Sequence, residues 1–185
     1  ILEVARDHGM HIPTLCYNES LEPEGRCRLC MVEVKKGKRT RLVTSCLYPV
    51  EDGLEIQTQS AKVLLTRKMV LELLLARCPD SEVIQQMAAG MGVEKSRFKL
   101  DEGHWKCILC GLCIKTCEEA VGVSAIGLSY RGSDKKVGTP FIEPTMVCIG
   151  CGACHFICPT GAIKMTEKDG IRQIWERDFK LKACN

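Results

Sequence analysis

Two copies of one cysteine motif dominate the C-terminal half of the chain. Each copy reads C-x2-C-x2-C-x3-C, and the copies consist of Cys107, Cys110, Cys113 and Cys117, and of Cys148, Cys151, Cys154 and Cys158. The second copy begins 41 residues after the first, and the likeness extends from CILCGLC to CIGCGAC. Four thiols packed so closely require short loops that turn the sulfur atoms toward a common centre, so this repeat constrains the backbone more than any other feature.

This spacing is typical of cysteines that ligate cubane iron–sulfur clusters. Three cysteines two residues apart wrap one [4Fe–4S] cluster, whereas the fourth points away and ligates the other cluster. On that rule the first cluster takes Cys107, Cys110, Cys113 and Cys158. The second cluster takes Cys148, Cys151, Cys154 and Cys117. The metal is iron in both, and the small residues inside the motifs let backbone amides approach the sulfur atoms.

Zinc and disulfide bonds are the alternatives for these eight cysteines. Structural zinc is held by two separated pairs around one tetrahedral centre, and four cysteines within eleven residues fit that geometry poorly. Disulfide frameworks belong to oxidising compartments. A zinc-stabilised scaffold or nucleic-acid module therefore stays as the alternative from another functional class, and it would be colourless, whereas iron–thiolate clusters are coloured.

A further quartet lies near the N-terminus and consists of Cys16, Cys27, Cys30 and Cys46. One pair separated by two residues, with one cysteine on either side, provides the four thiolates that a [2Fe–2S] cluster needs. The plant-type pattern has a first gap of four residues, whereas the gap here is ten. A structural zinc site built from the same residues remains open at this point.

Composition excludes several classes of protein. The chain has 26 Lys+Arg and 23 Asp+Glu, a net charge of +3, which is too balanced for a polybasic binder of nucleic acid or membrane surfaces. It contains no G-x-G-x-x-G and no Walker loop, so no NAD, flavin or ATP site is expected. With only 5% aromatic residues the apolar core is small, and bound metal is expected to help stabilise the fold.

Hydrophobic periodicity and turn residues predict helices between two cysteine-rich modules. The predicted elements are helices over 1–9, 61–76 and 81–89, a hairpin of 31–34 with 41–43, a strand over 54–57, and strand pairs 125–130 with 137–142 and 162–166 with 171–175. In helix 61–76, two adjacent apolar rows are expected to be core rather than docking surface; they are Val63, Val70 and Leu74, and Leu64, Leu71 and Leu75.

Two histidines near the cubane motifs and two further cysteines are not members of the three quartets. His104 precedes the first cubane motif and His155 lies inside the second. Because the quartets are complete without them, both histidines are expected to be solvated or to support the ligands from outside. Cys78 and Cys184 are interpreted as spare thiols rather than ligands.

The order of these motifs resembles a known family. The matching stretches are ILEVARDHGMHIPTLCY, CRLCMVEV, RKMVLELLLARCP, CILCGLCIKTCEEAVGVSAI and CIGCGACHFICPTGAI. They are similar to the N-terminal region of [FeFe] hydrogenases, to the large iron–sulfur subunit of respiratory complex I, and to the diaphorase iron–sulfur subunits of NAD-linked hydrogenases and formate dehydrogenases.

The resemblance implies an α+β protein with three parts. Residues 1–60 would form a [2Fe–2S] β-grasp domain whose first hairpin would precede Ile1, residues 61–100 a helical linker, and residues 101–185 a bacterial-type ferredoxin domain with two [4Fe–4S] clusters. It also implies an electron-transfer subunit, not catalytic alone, in a hetero-oligomeric complex. Its partners would be a flavin/NAD(P)H-binding subunit and a second redox subunit such as a hydrogenase or formate dehydrogenase.

The chain departs from the family pattern in two places. The family usually carries a His-x3-Cys-x2-Cys-x5-Cys set after the Leu-rich helix, whereas 76–81 here contains only Cys78, so that extra cluster is expected to be missing. Only residues 159–185 follow the last ligand, too few for a hydrogenase or molybdopterin catalytic domain. An excised N-terminal fragment of a larger multidomain oxidoreductase is therefore the alternative interpretation.

The expected location is the cytoplasm of an anaerobic prokaryote. Exposed cubanes are destroyed by oxidation, and fourteen free thiols would form mixed disulfides in an oxidising compartment. The longest apolar run, Met69–Ala76, is interrupted by Glu72 and is far shorter than a membrane span. No direct membrane span and no nucleic-acid partner are expected.

Overall fold

The computed structural model describes residues 1–103 and 106–181. The chain divides into two compact units, Ile1–Cys110 and a second that begins at Gly111, and each is described by itself below. The predictions made for His104 and Cys184 lie outside the described residues. In the part of the chain that the structure describes, no helix is long and apolar enough to cross a membrane.

The first unit combines three helices with one small sheet. In chain order its elements are α1 (Leu2–Asp7), β1 (Met31–Lys36), β2 (Arg39–Thr44), β3 (Glu55–Gln57), α2 (Ala61–Arg77) and α3 (Glu82–Gly90). The strands are antiparallel in the order β2–β1–β3. Val32 and Val34 alternate toward the buried face of β1 and pack with Leu2, Ala5 and Ile12, as expected for a sheet that is covered on one side.

Local signals explain where these elements end. Helix α1 ends before Gly9, whose φ is +71°, and the amide of Met10 donates to the carbonyl of Ala5 at 2.8 Å, a pattern that closes helix C-termini. The β1–β2 hairpin turns through Gly37 at φ +59°, which suits a two-residue hairpin loop with glycine first. The predicted helix, hairpin and short strand of this region are therefore present, with bounds that differ by a few residues.

Helices α2 and α3 form the second core of this unit. The Ser60 side chain caps α2 by accepting from the amide of Val63 at 3.3 Å. Leu71 and Leu75 lie on the buried face with Val63, as predicted. The prediction was wrong for Leu64, which is 40% exposed, because α2 is apolar around much of its circumference and only part of that surface is covered.

Over residues 111–181, the second unit contains two short α-helices and two small sheets. Its elements are α4 (Leu112–Lys115), a π-helical turn (Thr116–Ala120), β4 (Gly127–Ser129), β5 (Lys136–Gly138), α5 (Ala153–Phe156), β6 (Met165–Lys168), β7 (Ile171–Ile174) and β8 (Arg177–Lys180). Strands β4 and β5 pair with each other, and β6, β7 and β8 form an antiparallel meander. Single 3₁₀ turns lie at Gly132–Asp134 and Pro140–Ile142.

The C-terminal meander differs from the sequence-based expectation. The turn at Asp169 and Gly170 is where it was predicted, with φ of +52° and +72°. The first strand runs over 165–168 instead of 162–166, and a third strand, β8, was not predicted. It was missed because its turn is made by Trp175 and Glu176 at φ +53° and +58°, which are not turn-forming residue types.

The mixture of helices and strands agrees with the α+β class. The strands of the 125–142 region are shorter than predicted, since only 127–129 and 136–138 pair. The β-grasp order of the N-terminal domain, the boundaries at residues 60 and 100, and the two-cluster ferredoxin arrangement stay predictions.

Candidate metal centres

The N-terminal quartet lies within the first unit as two pairs of thiols. The backbone amide of Cys27 donates to Sγ of Cys16 at 3.2 Å, and the sulfur atoms of Cys30 and Cys46 are 3.4 Å apart. Cys30 directly precedes β1 and Cys46 follows β2, and the amide of Ser45 ties the two strand ends together by donating to the carbonyl of Cys30 at 3.0 Å. The hairpin therefore positions one pair and the loop after α1 positions the other.

Each pair contains one thiol that loses its proton more readily than usual. The hydrogen bond with Cys16 lowers the pKa of Cys27 to about 6, and the hydrogen bond with Cys46 lowers the pKa of Cys30 to about 6. The same hydrogen bonds raise the pKa of Cys16 and of Cys46. Because the thiolate is the form that binds metal, the geometry of the quartet favours metal ligation.

Four cysteines of the second unit line one apolar recess. Together with the solvent at its mouth, the recess holds about 360 Å³. Its cysteines are those predicted for the second cubane, Cys117, Cys148, Cys151 and Cys154. The structure therefore brings one cysteine of the first motif copy together with three of the second, as the spacing rule requires.

Left-handed backbone positions shape the two motif loops in the same way. Gly111 at φ +82° begins α4, and Gly152 at φ +80° begins α5. Two residues earlier, Leu109 has φ +55° where the second copy has Gly150 at φ +67°. The repeated sequence thus produces a repeated backbone, and Leu109 adopts a conformation that normally favours glycine.

Backbone and side-chain donors surround the sulfur atoms of the recess. The amide of Ala125 donates to Sγ of Cys117 at 3.2 Å. Burial raises the pKa of Cys154, and a side-chain hydrogen bond with Trp175 opposes that rise. Hydrogen bonds to ligand sulfur are a principal means by which proteins set cluster potentials, and Trp175 was not singled out from the sequence.

The cysteines predicted for the first cubane belong to different units. Cys107 and Cys110 lie in the first unit, and Cys113 and Cys158 lie in the second. Within its own unit, Sγ of Cys107 accepts from the amide of Leu109 at 3.4 Å, and Sγ of Cys158 accepts from the amide of Ala162 at 3.2 Å. Their joint ligation of one cluster stays a prediction from spacing.

Two arginines of the C-terminal meander hold the second motif loop. Nη1 of Arg172, on β7, donates to the carbonyls of Gly150 and Cys151, both at 2.8 Å. Nη1 of Arg177, on β8, donates to the carbonyl of Cys148 at 2.9 Å and also to that of Thr145. Sequence analysis missed this arrangement because it depends on the meander packing beside the loop.

The residues interpreted as spare have other surroundings. Cys78 is fully buried in the core of the first unit, and burial raises its pKa to about 12. Nδ1 of His155 lies 2.6 Å from the carbonyl of Ile163. Among residues 1–103 and 106–181, no three His, Cys, Asp or Glu side chains are grouped so as to hold a single metal ion.

The residues present fit iron–sulfur clusters. The donor sets consist of thiols alone, the ligand type such clusters use, and amides donate to several of the sulfur atoms. The loop that carries Cys148 and Cys151 is pressed so closely against the meander that a Cβ at Gly150 would lie 2.4 Å from the ring of Phe179. Glycine there lets the loop close around the recess.

Comparison with protein families agrees with this geometry. Residues 1–61 match a 2Fe-2S iron-sulfur cluster binding domain. Residues 145–164, which contain the second motif copy, match a 4Fe-4S binding domain. The chain therefore contains regions similar to two kinds of iron–sulfur cluster binding domain.

Proteins that align with most of this chain indicate which iron–sulfur proteins it resembles. The chain is 32% identical over 186 residues to the alpha subunit of the NADPH-Fe(3+) oxidoreductase of Geobacter sulfurreducens, an alignment covering 88% of this chain and 22% of that protein. It is 32% identical over 188 residues to a subunit of the NADH-quinone oxidoreductase of Rhizobium meliloti, with coverages of 88% and 22%. The chain thus spans about a fifth of the length of these curated relatives.

A solved structure of an NAD-linked oxidoreductase is also similar to this chain. A chain in the crystal structure of NAD+-reducing [NiFe]-hydrogenase in the H2-reduced state superposes with a TM-score of 0.64 and 29% identity, covering 75% of this chain and 67% of that chain. These similarities confirm the resemblance, drawn from the motifs, to iron–sulfur chains of NAD(P)H-linked oxidoreductases and hydrogenases.

Proposed function

We propose that the chain is an electron-transfer subunit that is not catalytic alone. It relays electrons through one [2Fe–2S] and two [4Fe–4S] clusters between a flavin/NAD(P)H-handling partner and another redox subunit. The observation that carries the proposal is the recess in which Cys117 joins Cys148, Cys151 and Cys154. Cysteines from both motif copies around one cavity are what a two-cluster ferredoxin arrangement needs.

The ligand assignment follows the three quartets. The [2Fe–2S] cluster is held by Cys16, Cys27, Cys30 and Cys46, whose two thiol pairs suit a group with two irons. The cubanes are held by Cys107, Cys110, Cys113 and Cys158, and by Cys148, Cys151, Cys154 and Cys117. When bound, such clusters accept and release single electrons.

The protein's own groups have three tasks in this proposal. The motif loops orient the thiolates, and the amides of Cys27, Leu109, Ala125 and Ala162 donate to sulfur. The apolar walls of the recess, among them Ile126 and Ile174, limit the access of water. Burial and amide donors then set the reduction potentials.

The partners follow from what the related proteins are called. Their names include NADPH-Fe(3+) oxidoreductase, NADH-quinone oxidoreductase and NAD+-reducing [NiFe]-hydrogenase. We infer that an NAD(P)H-handling, flavin-containing subunit lies on one side of the relay and a hydrogenase, formate dehydrogenase or similar subunit lies on the other. We place this complex in the cytoplasm of an anaerobic prokaryote.

The test is a count of iron, acid-labile sulfide and zinc on anaerobically purified chain. About ten iron and ten sulfide per chain support one [2Fe–2S] and two [4Fe–4S] clusters. A value near fourteen for each would show a further cluster and contradict the interpretation of Cys78 as a spare thiol. Zinc with little sulfide would overturn the electron-transfer proposal in favour of the zinc scaffold.

A further inference from the structure

A buried arginine lies on the core face of α2, beside the N-terminal cysteine quartet. Arg67 continues the row formed by Val63, Leu71 and Leu75 at intervals of four residues, and it is only 3% exposed. Nη2 donates to the carbonyl of Met31 at 2.7 Å. Since Met31 directly follows Cys30, the guanidinium is anchored next to a predicted cluster ligand.

The charge of this guanidinium has little compensation from the protein. Among the residues that the structure describes, Nε of Arg67 is buried without a hydrogen-bond acceptor, and no acidic side chain lies within 4.0 Å of the guanidinium. Arginine stays protonated in proteins, and an uncompensated buried charge is strongly destabilising. Some anion close to Arg67 must offset this cost.

The quartet is a source of negative charge beside this anchor, because Cys30 directly precedes Met31 in the chain. Burial lowers the pKa of Arg67, and the Cys30 thiolate is the group that opposes this effect. Four cysteine thiolates around two irons form an anionic group, and adding one electron increases its negative charge without forming or breaking a bond. In a buried site, where screening is weak, a fixed cation stabilises the reduced form more than the oxidised form.

We propose that Arg67 is a positioning residue that supplies the buried countercharge of the N-terminal [2Fe–2S] site and raises its reduction potential. The inference rests on the proposed function, because it takes Cys16, Cys27, Cys30 and Cys46 to hold that cluster. The Met31 carbonyl fixes the guanidinium, and the helix row 63–67–71–75 delivers it to the core.

Three substitutions separate charge from packing. Arg67→Gln removes the charge but keeps an amide donor for the Met31 carbonyl, Arg67→Lys keeps the charge, and Arg67→Met removes both charge and donor. Lys68→Met is the matched control, because it removes one positive charge from the exposed side of the same helix. The measurement is a redox titration of the [2Fe–2S] signal by electron paramagnetic resonance on the full chain, with iron counted for every variant.

We expect the ratio of reduced to oxidised [2Fe–2S] site at a fixed potential to fall about tenfold in R67Q, which corresponds to about 59 mV for a one-electron couple. R67K and K68M should each change that ratio less than about threefold, which corresponds to about half of that shift in potential. The cubane signals should not shift. An R67Q chain that is fully loaded and titrates like the wild type overturns the proposal, as does an R67K shift as large as that of R67Q.

Loss of the [2Fe–2S] cluster from the Arg67 variants also tests the proposal. If R67Q and R67M both lose the [2Fe–2S] site while R67K retains it, the charge is needed for loading and the proposal is supported. If all three lose it while K68M retains it, Arg67 has a packing role and the proposal fails. A wild-type chain with zinc and no [2Fe–2S] signal would show instead that the proposed function itself is wrong.

Discussion

Gly150 illustrates how the absence of a side chain controls the shape of the second motif loop. Its φ is +67°, and an added Cβ would meet ring atoms of Phe179 at 2.4 to 2.7 Å. We expect Gly150→Ala to lower the free energy of unfolding by about 2–4 kcal/mol, because backbone strain and overpacking add. It should also release iron from the adjacent site faster when a chelator is added. Thermal denaturation and iron-release kinetics measure the two effects.

Gly161 provides the matched control for this substitution. It has a similar φ of +60°, but an added Cβ would have nothing within 4 Å. Gly161→Ala should therefore show the backbone strain alone, about 1 kcal/mol, without faster iron release. Equal losses in the two variants would contradict the role assigned to Phe179.

Substitution of Cys78 tests whether this residue is a structural thiol or a cluster ligand. It is buried among Leu71, Leu75 and Ile84, and its pKa is raised to about 12 by burial. We expect Cys78→Ala to leave the iron and sulfide content unchanged and to cost about 1–2 kcal/mol of stability from lost packing. Cys78→Ser should cost more, because it buries a hydroxyl. Loss of about four irons in Cys78→Ala would identify it as a ligand instead.

At the scale of elements, the β7–β8 hairpin acts as a support for the second motif loop. Arg172 and Arg177 donate to the carbonyls of Gly150, Cys151 and Cys148. These hydrogen bonds fix the backbone of the loop that carries Cys148 and Cys151. Arg172 is also paired with Glu167 on β6 at 2.6 Å, which links all three strands of the meander to the loop.

Removing this support should weaken the loop. We expect Arg177→Gln to lower the unfolding free energy of the second unit by about 1.5–3 kcal/mol, since charge-assisted hydrogen bonds are lost. Arg131→Gln is the control, because Arg131 is an exposed arginine of the same unit. Iron content and the midpoint of chemical denaturation are measured for both. An Arg177→Gln chain as stable as the control would contradict the supporting role of β8.

The elements that sequence analysis predicted are those with local signals. Helix α1 ends at a glycine, the β1–β2 hairpin turns through Gly37, and α2 begins at the Ser60 cap. Strand β8 could not be predicted, because its turn is made by Trp175 and Glu176, residue types that rarely adopt a left-handed backbone. Arg67 was missed for a similar reason, since a helical wheel does not show which carbonyl a buried guanidinium will reach.

The candidate sites were predictable to the extent that their ligands share a spacing rule. The set around Cys117 follows from the repeat, and the structure brings its four members to one recess. Trp175, which contacts Cys154, and Arg172, which donates to the carbonyl of Cys151, come from the C-terminal meander. Their roles depend on tertiary contacts, which carry no periodic signal in the sequence.

At the scale of the whole molecule, the chain has separate cores in its two units. The first unit packs around Leu71 and Ile84 and, in a second cluster, around Val32 and Leu2. The second unit packs around Ile126, Ile163 and Ile174, next to Cys113 and Cys154. We expect a unit with so small an apolar core to gain stability from its proposed clusters, because cluster binding and folding are coupled.

Loss of one ligand of the second cubane should therefore destabilise the second unit more than the first. We expect Cys151→Ala to abolish the second cubane and to lower the unfolding temperature of the second unit. The [2Fe–2S] signal should be kept, because the N-terminal quartet belongs to the first unit. Cys27→Ala is the converse variant and should abolish the [2Fe–2S] signal alone. Electron paramagnetic resonance and circular dichroism during heating follow clusters and secondary structure together.

The effect of Cys151→Ala on the first cubane tests whether the two cubanes exchange their fourth cysteines. Under the proposed ligation the two cubanes exchange their fourth cysteines, so disorder of the Cys148–Cys158 segment in Cys151→Ala should also remove Cys158 from the other cluster. Iron should then fall from about ten to about two per chain, rather than to about six. A variant that keeps six irons, with one intact cubane signal, would show that the cubanes assemble independently and would contradict the exchange of ligands between the motif copies.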